Sequence, residues 1–540
     1  MSSSQRPPAP WRSWIDRIAG RRREPRRLTV DDVTVVDRPM LRRAVGGAVV
    51  GNIMEWYDIG IYGYLAVIIG RVFLPDASDA AQSLFSLGVF AVTFIARPLG
   101  GVILGQLGDR LGRQKVLAFT LIMMASATFL IGVLPDYSVI GAFAPILLIV
   151  LKLAQGFSTG GEYAGATTFI TEYAPDRKRG FYASLLDMGS YFGFAIGAAF
   201  VSILQLTVSE TGMEGFGWRI PFLVALPLGL IAVYFRLKIE DTPTFQAAQD
   251  AAEHASDEAQ AAADAPKGVF ALIRAYWREL LTAFVLVAAA NTVSYALTSY
   301  MPTYLTQTLG YDETHGTLLT LPVLVLMALC IPLTGRLSDR IGRRAVLFIG
   351  AGSAIVLAVP SFLFMMHGEV WSTLVGLALL AIPVTFYVAN LASSLPALFP
   401  TSSRYGGMGI SYNLAVALFA GTAPVIMESL VQASGSSLAP AFYVIGTSVA
   451  GFIAVVVLKE SARKPLPGAM PSVMTDTEAV RLVETQDTNP HIILDELFPE
   501  RAEQRAEQRA QQEGESGQSG RTEGSTRPAQ EPDPGPDSRS

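Results

Sequence analysis

GQLGDRLGR spans residues 105–113, and GRLSDRIGR spans residues 335–343. Six residues recur in one frame: Gly105 with Gly335, Leu107 with Leu337, Asp109 with Asp339, Arg110 with Arg340, Gly112 with Gly342 and Arg113 with Arg343. Each stretch is a polar turn between two long apolar runs. Gly105 permits close backbone approach, Gly112 a left-handed turn, and Asp109 can accept hydrogen bonds from a helix N-terminus. A positive-inside loop would explain the arginines, but not the same order of six residues twice. The copies lie 230 residues apart, about the length of six membrane helices with their loops. The chain therefore reads as a duplicated bundle.

Composition agrees. Of 540 residues, 51% are hydrophobic and 16% charged, against about 25% charged in a soluble domain. Mean hydropathy is +0.38. The apolar runs are long enough for membrane helices, whereas barrel strands alternate over about 10 residues. The single cysteine, Cys330, excludes a disulfide within the chain and a cysteine-based metal site. His254, His315 and His367 lack metal-ligand spacing and read as surface residues. There is no nucleotide loop, nucleophile motif or metal cluster. An enzyme, a cofactor, a nucleotide and a nucleic-acid partner are thus not expected. No apolar h-region precedes residue 40, so no cleavable signal peptide is expected.

Twelve apolar segments are predicted near 44–73, 82–108, 114–134, 140–173, 180–208, 219–238, 279–305, 314–335, 345–366, 370–398, 405–432 and 437–459. This gives an all-α membrane protein with two six-helix halves, residues 41–238 and 279–460. Residues 1–40 read as a disordered basic arm, 239–278 as a polar central loop, and 461–540 as a polar, largely disordered tail. RAEQRAEQRAQQ (501–512) lacks the apolar seam of a coiled coil. Lys and Arg mark one set of loops: Arg110, Arg113 and Lys115; Arg177, Lys178 and Arg179; Arg336, Arg340, Arg343 and Arg344; and Arg404. LPDASDAA (74–81), PDYSV (135–139), QTLGYDETH (307–315) and MHGEV (366–370) have none. The first set should face the cytoplasm, with both termini inside.

Several ionisable residues fall inside apolar runs, where each costs roughly 2.5–3.5 kcal/mol to insert. Glu55 and Asp58 lie three residues apart, on one helix face that Tyr62 continues. Arg97, Lys152, Glu162 and Asp187 complete the set. Structural ion pairing accounts for some of these residues, but four acids against two bases leave a surplus. A buried carboxylate without a cation favours its neutral form, so it can carry a proton. Glu55 and Asp58 are the first candidates; Glu162 and Asp187 lie nearer the cytoplasmic side and suit a gate. In the second half, residues 280–335, 345–403 and 405–458 contain no lysine or arginine. They offer instead Asn291, Tyr295 and Tyr300, then Phe386, Tyr387 and Asn390, then Tyr412 and Asn413. Aromatic rings hold ammonium groups by cation–π attraction. Cations at one end only, Arg97 and Lys152, suit a zwitterion better than a dianion. Most of these aromatics would equally serve packing, and Tyr304 and Trp371 read as interface-belt residues. Gly156, Gly160 and Ala164, and Gly189, Gly193 and Gly197, recur every four residues, a spacing for close helix contact.

The repeated turn has the Gly-x-x-x-Asp-Arg-x-Gly-Arg form of the major facilitator superfamily, which the chain resembles. GNIMEWYDIGIYGY (51–64), FIARPLGG (94–101), KLAQGFSTGGEYAGA (152–166), EYAPDRKRGF (172–181), DMGSYFGFAIG (187–197), GWRIPF (217–222) and SLPALFPTSSRY (394–405) resemble its metabolite:proton symporter family. YALTSYMPTYL (295–305) places the likeness nearest the osmoprotectant branch, which transports proline and glycine betaine. The resemblance covers residues 40–465 and implies the twelve-helix major facilitator fold with pseudo-two-fold halves. It also implies proton-coupled uptake of a small zwitterion such as proline, glycine betaine or ectoine from within the lipid bilayer. The helix near 180–208 lacks the Gly-Pro-x-x-Gly-Gly pattern of antiporters, in keeping with symport. The branch further implies osmotic activation tuned by the long C-terminal extension. Two other readings stand beside this one: a symporter of a mono- or dicarboxylate such as 2-oxoglutarate, and a non-transporting membrane sensor with the same fold.

Overall fold

A computed structural model describes residues 26–111, 113–237, 268–498 and 501, with the side chains of 44, 105–118, 232–237, 313, 314 and 402 left aside. Among the described residues, twelve helical rods account for the fold. They are α1 (Arg38–Tyr64), α2 (Asp79–Ile95, continued by Arg97–Leu111), α3 (Arg113–Val133), α4 (Phe143–Thr159, continued by Glu162–Tyr173), α5 (Arg179–Thr207) and α6 (Arg219–Leu237). Then come α7 (Trp277–Tyr295, running on to Thr308), α8 (Leu321–Ile341), α9 (Arg343–Met366), α10 (Val370–Ser394), α11 (Thr401–Ala415, running on to Ser434) and α12 (Ala439–Val457). Helices suit a bilayer because every backbone group is satisfied within the segment. Nine of the described helices are long and apolar enough to span by that measure alone, or ten with the bent pair at Glu210–Gly217 and Arg219–Ile231. α1 misses that test because Asn52, Glu55 and Asp58 lower the hydropathy of its apolar stretch.

Several rods predicted as continuous are interrupted. α2 breaks at Ala96, directly before Arg97, and α4 breaks at Gly160–Gly161, directly before Glu162. α7 contains two π-helical stretches, Ala296–Tyr300 and Tyr304–Thr308, and α11 contains one, Val416–Ala420. Such bulges favour functional positions.

α1 packs along α5, α5 along α8, α3 along α6 and α9 along α10. Glycine makes the tightest crossing possible. A Cβ on Gly156 would collide with the Thr93 carbonyl oxygen, and one on Gly160 with the Arg97 carbonyl oxygen. The α2–α4 crossing is therefore backbone on backbone, as the four-residue spacing predicts. Tyr304 departs from expectation: it is fully buried, and its hydroxyl donates to the Ser437 carbonyl at 2.9 Å. Trp371 is 59% exposed.

The arm and tail also depart from expectation. Thr34–Val35 pairs in parallel with Ser472–Val473, and a helix follows at Asp476–Glu484. Separately, residues 26–32 and 482–501 form their own small unit as far as they are described. There Leu28 N–H donates to Gln486 Oε1 at 2.9 Å, and Arg26 lies 4.7 Å from the Phe498 ring. Thr29 backbone and hydroxyl bonds hold the Asp32 carboxyl below the usual carboxylate range. Buried Val33, Val36, Val473 and Ala479, and in the small unit Leu28 and Phe498, are the apolar anchors that an averaged polar composition hides. A short helix, Val269–Ala275, stands where a loop was expected. The rest of the central loop and most of the 501–512 repeat lie outside the described residues.

Gly156→Ala is expected to lower the melting temperature of the detergent-purified protein, because overpacking costs about 1–3 kcal/mol. Gly88→Ala, with open space around its Cβ, should leave it unchanged or slightly raised. Equal melting of both variants would contradict the close crossing.

Candidate functional site

The six intramembrane charges separate into three groups. In the first, the Arg97 Nη2 donates to Glu55 Oε1 at 3.0 Å, with both side chains 1% exposed. The guanidinium also lies 4.8 Å from the Phe94 ring centre and 6.0 Å from that of Trp56. Arg97 follows directly on Ala96, at the start of the second segment of α2.

The second group is a relay of neutral side chains between two charges. Thr128 Oγ1 donates to Asp58 Oδ2 at 3.0 Å. Gln155 Nε2 donates to that hydroxyl at 2.9 Å, and Lys152 Nζ donates to Gln155 Oε1 at 2.7 Å. The ammonium sits 4.1 Å from the Tyr62 ring centre, and Tyr62 itself donates to the Ser86 carbonyl at 3.1 Å. Glu55 and Asp58 thus share a helix face but serve different networks.

The third group lies between the halves. Tyr163 hydroxyl donates to Asp187 Oδ1 at 3.1 Å. Tyr163 from α4 stacks on Tyr412 from α11, with centroids 4.3 Å apart and planes at 10°. Both rings and Asp187 border a cavity of about 30 Å³, together with Trp56, Tyr191, Phe194, Asn291 and Tyr295. Trp56 is fixed by Asn52, which accepts its indole N–H at 3.0 Å and donates to Ser190 at 2.6 Å. Glu162 opens the second segment of α4 beside Tyr163, with its side chain buried.

Asn291 and Tyr295 therefore meet Asp187 in one cavity, and the other predicted binding residues stand apart. Asn390 donates to its own helix at Phe386, 3.0 Å, and Tyr387 is buried beside Gly451. Asn413 crosses between the halves, donating to the Gly160 carbonyl at 2.6 Å. Trp56, Tyr163, Tyr191 and Phe194 escape sequence reasoning because aromatic residues at helical spacing read as packing. Glu428 also escapes: it is buried in α11 and accepts from Tyr300 at 3.2 Å and from Gln432 at 2.9 Å. An acid inside the apolar run IMESL (426–430) is the signal that a search for cations passes over.

The end of the bundle that carries the α8–α9 turn is closed. Asp339 accepts from the N–H groups of Gly180 and Phe181 at the start of α5, both at 2.9 Å, and from Arg343 at 2.8 Å. Arg343 starts α9 after Gly342, whose φ is +103°, and its N–H is accepted by Glu460 at 2.9 Å. Arg340 is exposed. Fully buried Arg404 pairs with Glu172 at 2.5 Å and donates to the Pro467 carbonyl at 2.8 Å. The side chains of the first copy of the turn, Gly105, Asp109, Arg110, Gly112 and Arg113, lie outside the described residues.

Residues 45–469 match the model of the sugar (and other) transporter family. The chain belongs to this family of the major facilitator superfamily. It is 49% identical over 88% of its length to the ectoine/proline transporter of Corynebacterium glutamicum, covering 95% of that protein. It is 42% identical over 89% of its length to the proline/betaine transporter of Escherichia coli K12, covering 96% of it. Among solved structures, the proton:xylose symporter XylE bound to 6-bromo-6-deoxy-D-glucose superposes with a TM-score of 0.66. At 16% identity, over 79% of this chain and 98% of that one, this likeness bears on the fold alone. The protein is a multi-pass membrane transporter, not an enzyme.

Removing one partner of the transporter's buried Glu55–Arg97 pair strands the other, at about 3–5 kcal/mol. Arg97→Gln should therefore melt well below wild type, and Glu55→Gln/Arg97→Gln should recover part of the loss. Arg344→Gln should be mild, since that side chain reaches the Val456 carbonyl at the surface. A double variant no more stable than Arg97→Gln would contradict the pairing.

Proposed function

We propose that this transporter takes up zwitterionic osmolytes, among them proline, glycine betaine and ectoine, by proton symport. The observation that carries the reading is the charge of the cavity. Among its described lining residues only Asp187 is ionisable to a charge near neutral pH, and it is an acid set among aromatic rings. Such a lining accepts an ammonium group and offers a dianion nothing. Arg97, 6.0 Å from the ring centre of cavity-lining Trp56, and Lys152 stand outside the closed cavity, and in this reading they meet the solute's single carboxylate when the halves part. The relatives named for proline, betaine and ectoine support the same class. Glu55 and Asp58 are the proton carriers in this reading. Each is buried and linked through hydrogen bonds to a cation whose demands change when solute binds.

A cavity of about 30 Å³ holds little more than a water molecule. Solute therefore enters when the halves part on one side, and the Tyr163–Tyr412 stack and the Asp339 and Arg404 contacts separate when they part on the other. This is alternating access. The positive-inside distribution of Lys and Arg in the loops supports a closed end and both termini on the cytoplasmic side of the plasma membrane.

Uptake by purified protein in liposomes, with an imposed pH gradient, tests the reading. Proline, glycine betaine and ectoine should compete for one pathway, and 2-oxoglutarate should not. Glu55→Gln and Asp58→Asn should each lose accumulation against a gradient while keeping solute exchange, because exchange needs only the binding site. Full accumulation in both single variants and the double variant would refute the proton assignment. Uptake of 2-oxoglutarate in place of the zwitterions would favour the carboxylate reading.

A further inference from the structure

Resting on the zwitterion reading, we propose that Asp187 is the counter-ion of the solute's ammonium group and not a carrier of the coupled proton. Three buried carboxylates of the first half differ in what they touch. Glu55 is joined to a guanidinium, and Asp58 to the Thr128 relay that leads to Lys152. Neither Glu55 nor Asp58 lines the cavity, and Asp187 does. Its Oδ1 accepts from Tyr163, while its Oδ2, enclosed by protein, has no hydrogen-bond partner. Asp187 is only 6% exposed. A buried carboxylate oxygen without a partner is costly while the group is charged, and a cationic ligand removes that cost.

The surrounding rings give that ligand its chemistry. Trp56 and Phe194 lie 5.3 Å apart at 48°, Tyr191 and Phe194 6.2 Å apart at 48°, and Trp56 and Tyr295 6.2 Å apart at 54°. All four rings border the same cavity as the carboxylate. A methylated or ring-bound ammonium is satisfied there by charge from Asp187 and by cation–π attraction from the rings, without requiring many hydrogen-bond acceptors. Ser294 and Thr298 also line the cavity, so N–H donors of a secondary ammonium find acceptors there beside the rings. Tyr163, held by the other oxygen of Asp187 and stacked on Tyr412, is a positioning residue: it ties the ammonium site to the contact between the halves.

The test is solute counterflow in liposomes without a pH gradient, which reads binding and translocation apart from proton coupling. The probes are glycine betaine and its uncharged-head isostere 3,3-dimethylbutanoate, each as a competitor of labelled betaine. Wild type should be inhibited by betaine and not by the isostere. Asp187→Asn should raise the KM for betaine at least about tenfold and narrow the gap between the two competitors. Asp187→Glu should retain the wild-type preference. Inhibition of wild type by the isostere as strongly as by betaine overturns the assignment, whether or not the variants fold. So does Asp187→Asn with an unchanged KM in counterflow but no gradient-driven accumulation, which makes Asp187 a proton carrier. A wild-type protein that exchanges no zwitterion at all is a separate result, and overturns the function on which the inference rests.

Discussion

Burying the Arg97–Glu55 pair in the middle of a membrane bundle constrains everything around it. Two ions taken out of water repay their desolvation only when each is well paired. The rings of Phe94 and Trp56 lie beside that guanidinium, and Gly160 of α4 packs against the Arg97 carbonyl oxygen. Lys152 is met differently, by Gln155 and the face of Tyr62, and reaches Asp58 only through neutral groups. The first half therefore holds two separate charge networks, one around Arg97 and one around Lys152. Apart from Glu428, buried in α11, and the buried Asp339, Arg343 and Arg404 at the closed end, the second half supplies mainly uncharged side chains to the interior.

That asymmetry gives the two halves different tasks at their contact. The cavity takes its acid from α5 and its rings from α1, α4, α5, α7 and α11. Toward the closed end, contacts between the halves become polar and directional: Asn413 to Gly160, Asp339 to the start of α5, and Arg404 to Glu172. Polar contacts of this kind can be exchanged for water when the end opens, which a continuous apolar core could not do without cost. The segment after α12 joins the same closure, since Lys464 and Pro467 accept from Arg179 and Arg404.

Most of the fold was legible in sequence because membrane helices announce themselves by length and the duplication by its repeated turn. The four-residue glycine spacing likewise foretold the α2–α4 crossing. What sequence did not reveal was partnership. Nothing in the spacing of Glu55 and Asp58 says that one pairs with Arg97 and the other with Thr128. Tyr304 looked like a belt residue because it follows an apolar run near a helix end, yet the fold buries it. Asp187 looked like a gate acid, and only the structure shows that one of its oxygens lacks a hydrogen-bond partner and that it borders a cavity lined by aromatic rings. The arm and tail were read as disordered because a few anchors such as Val36 and Val473 are diluted by polar neighbours.

The central claim is that solute and proton cross together, and proton movement on solute addition tests it most directly. Liposomes holding the purified transporter, in weak buffer with no imposed gradient and with the membrane potential clamped, would receive glycine betaine outside while external pH is followed. The account predicts an external alkalinisation that begins with the betaine and is absent from protein-free liposomes. Betaine entry with no accompanying pH change would contradict it.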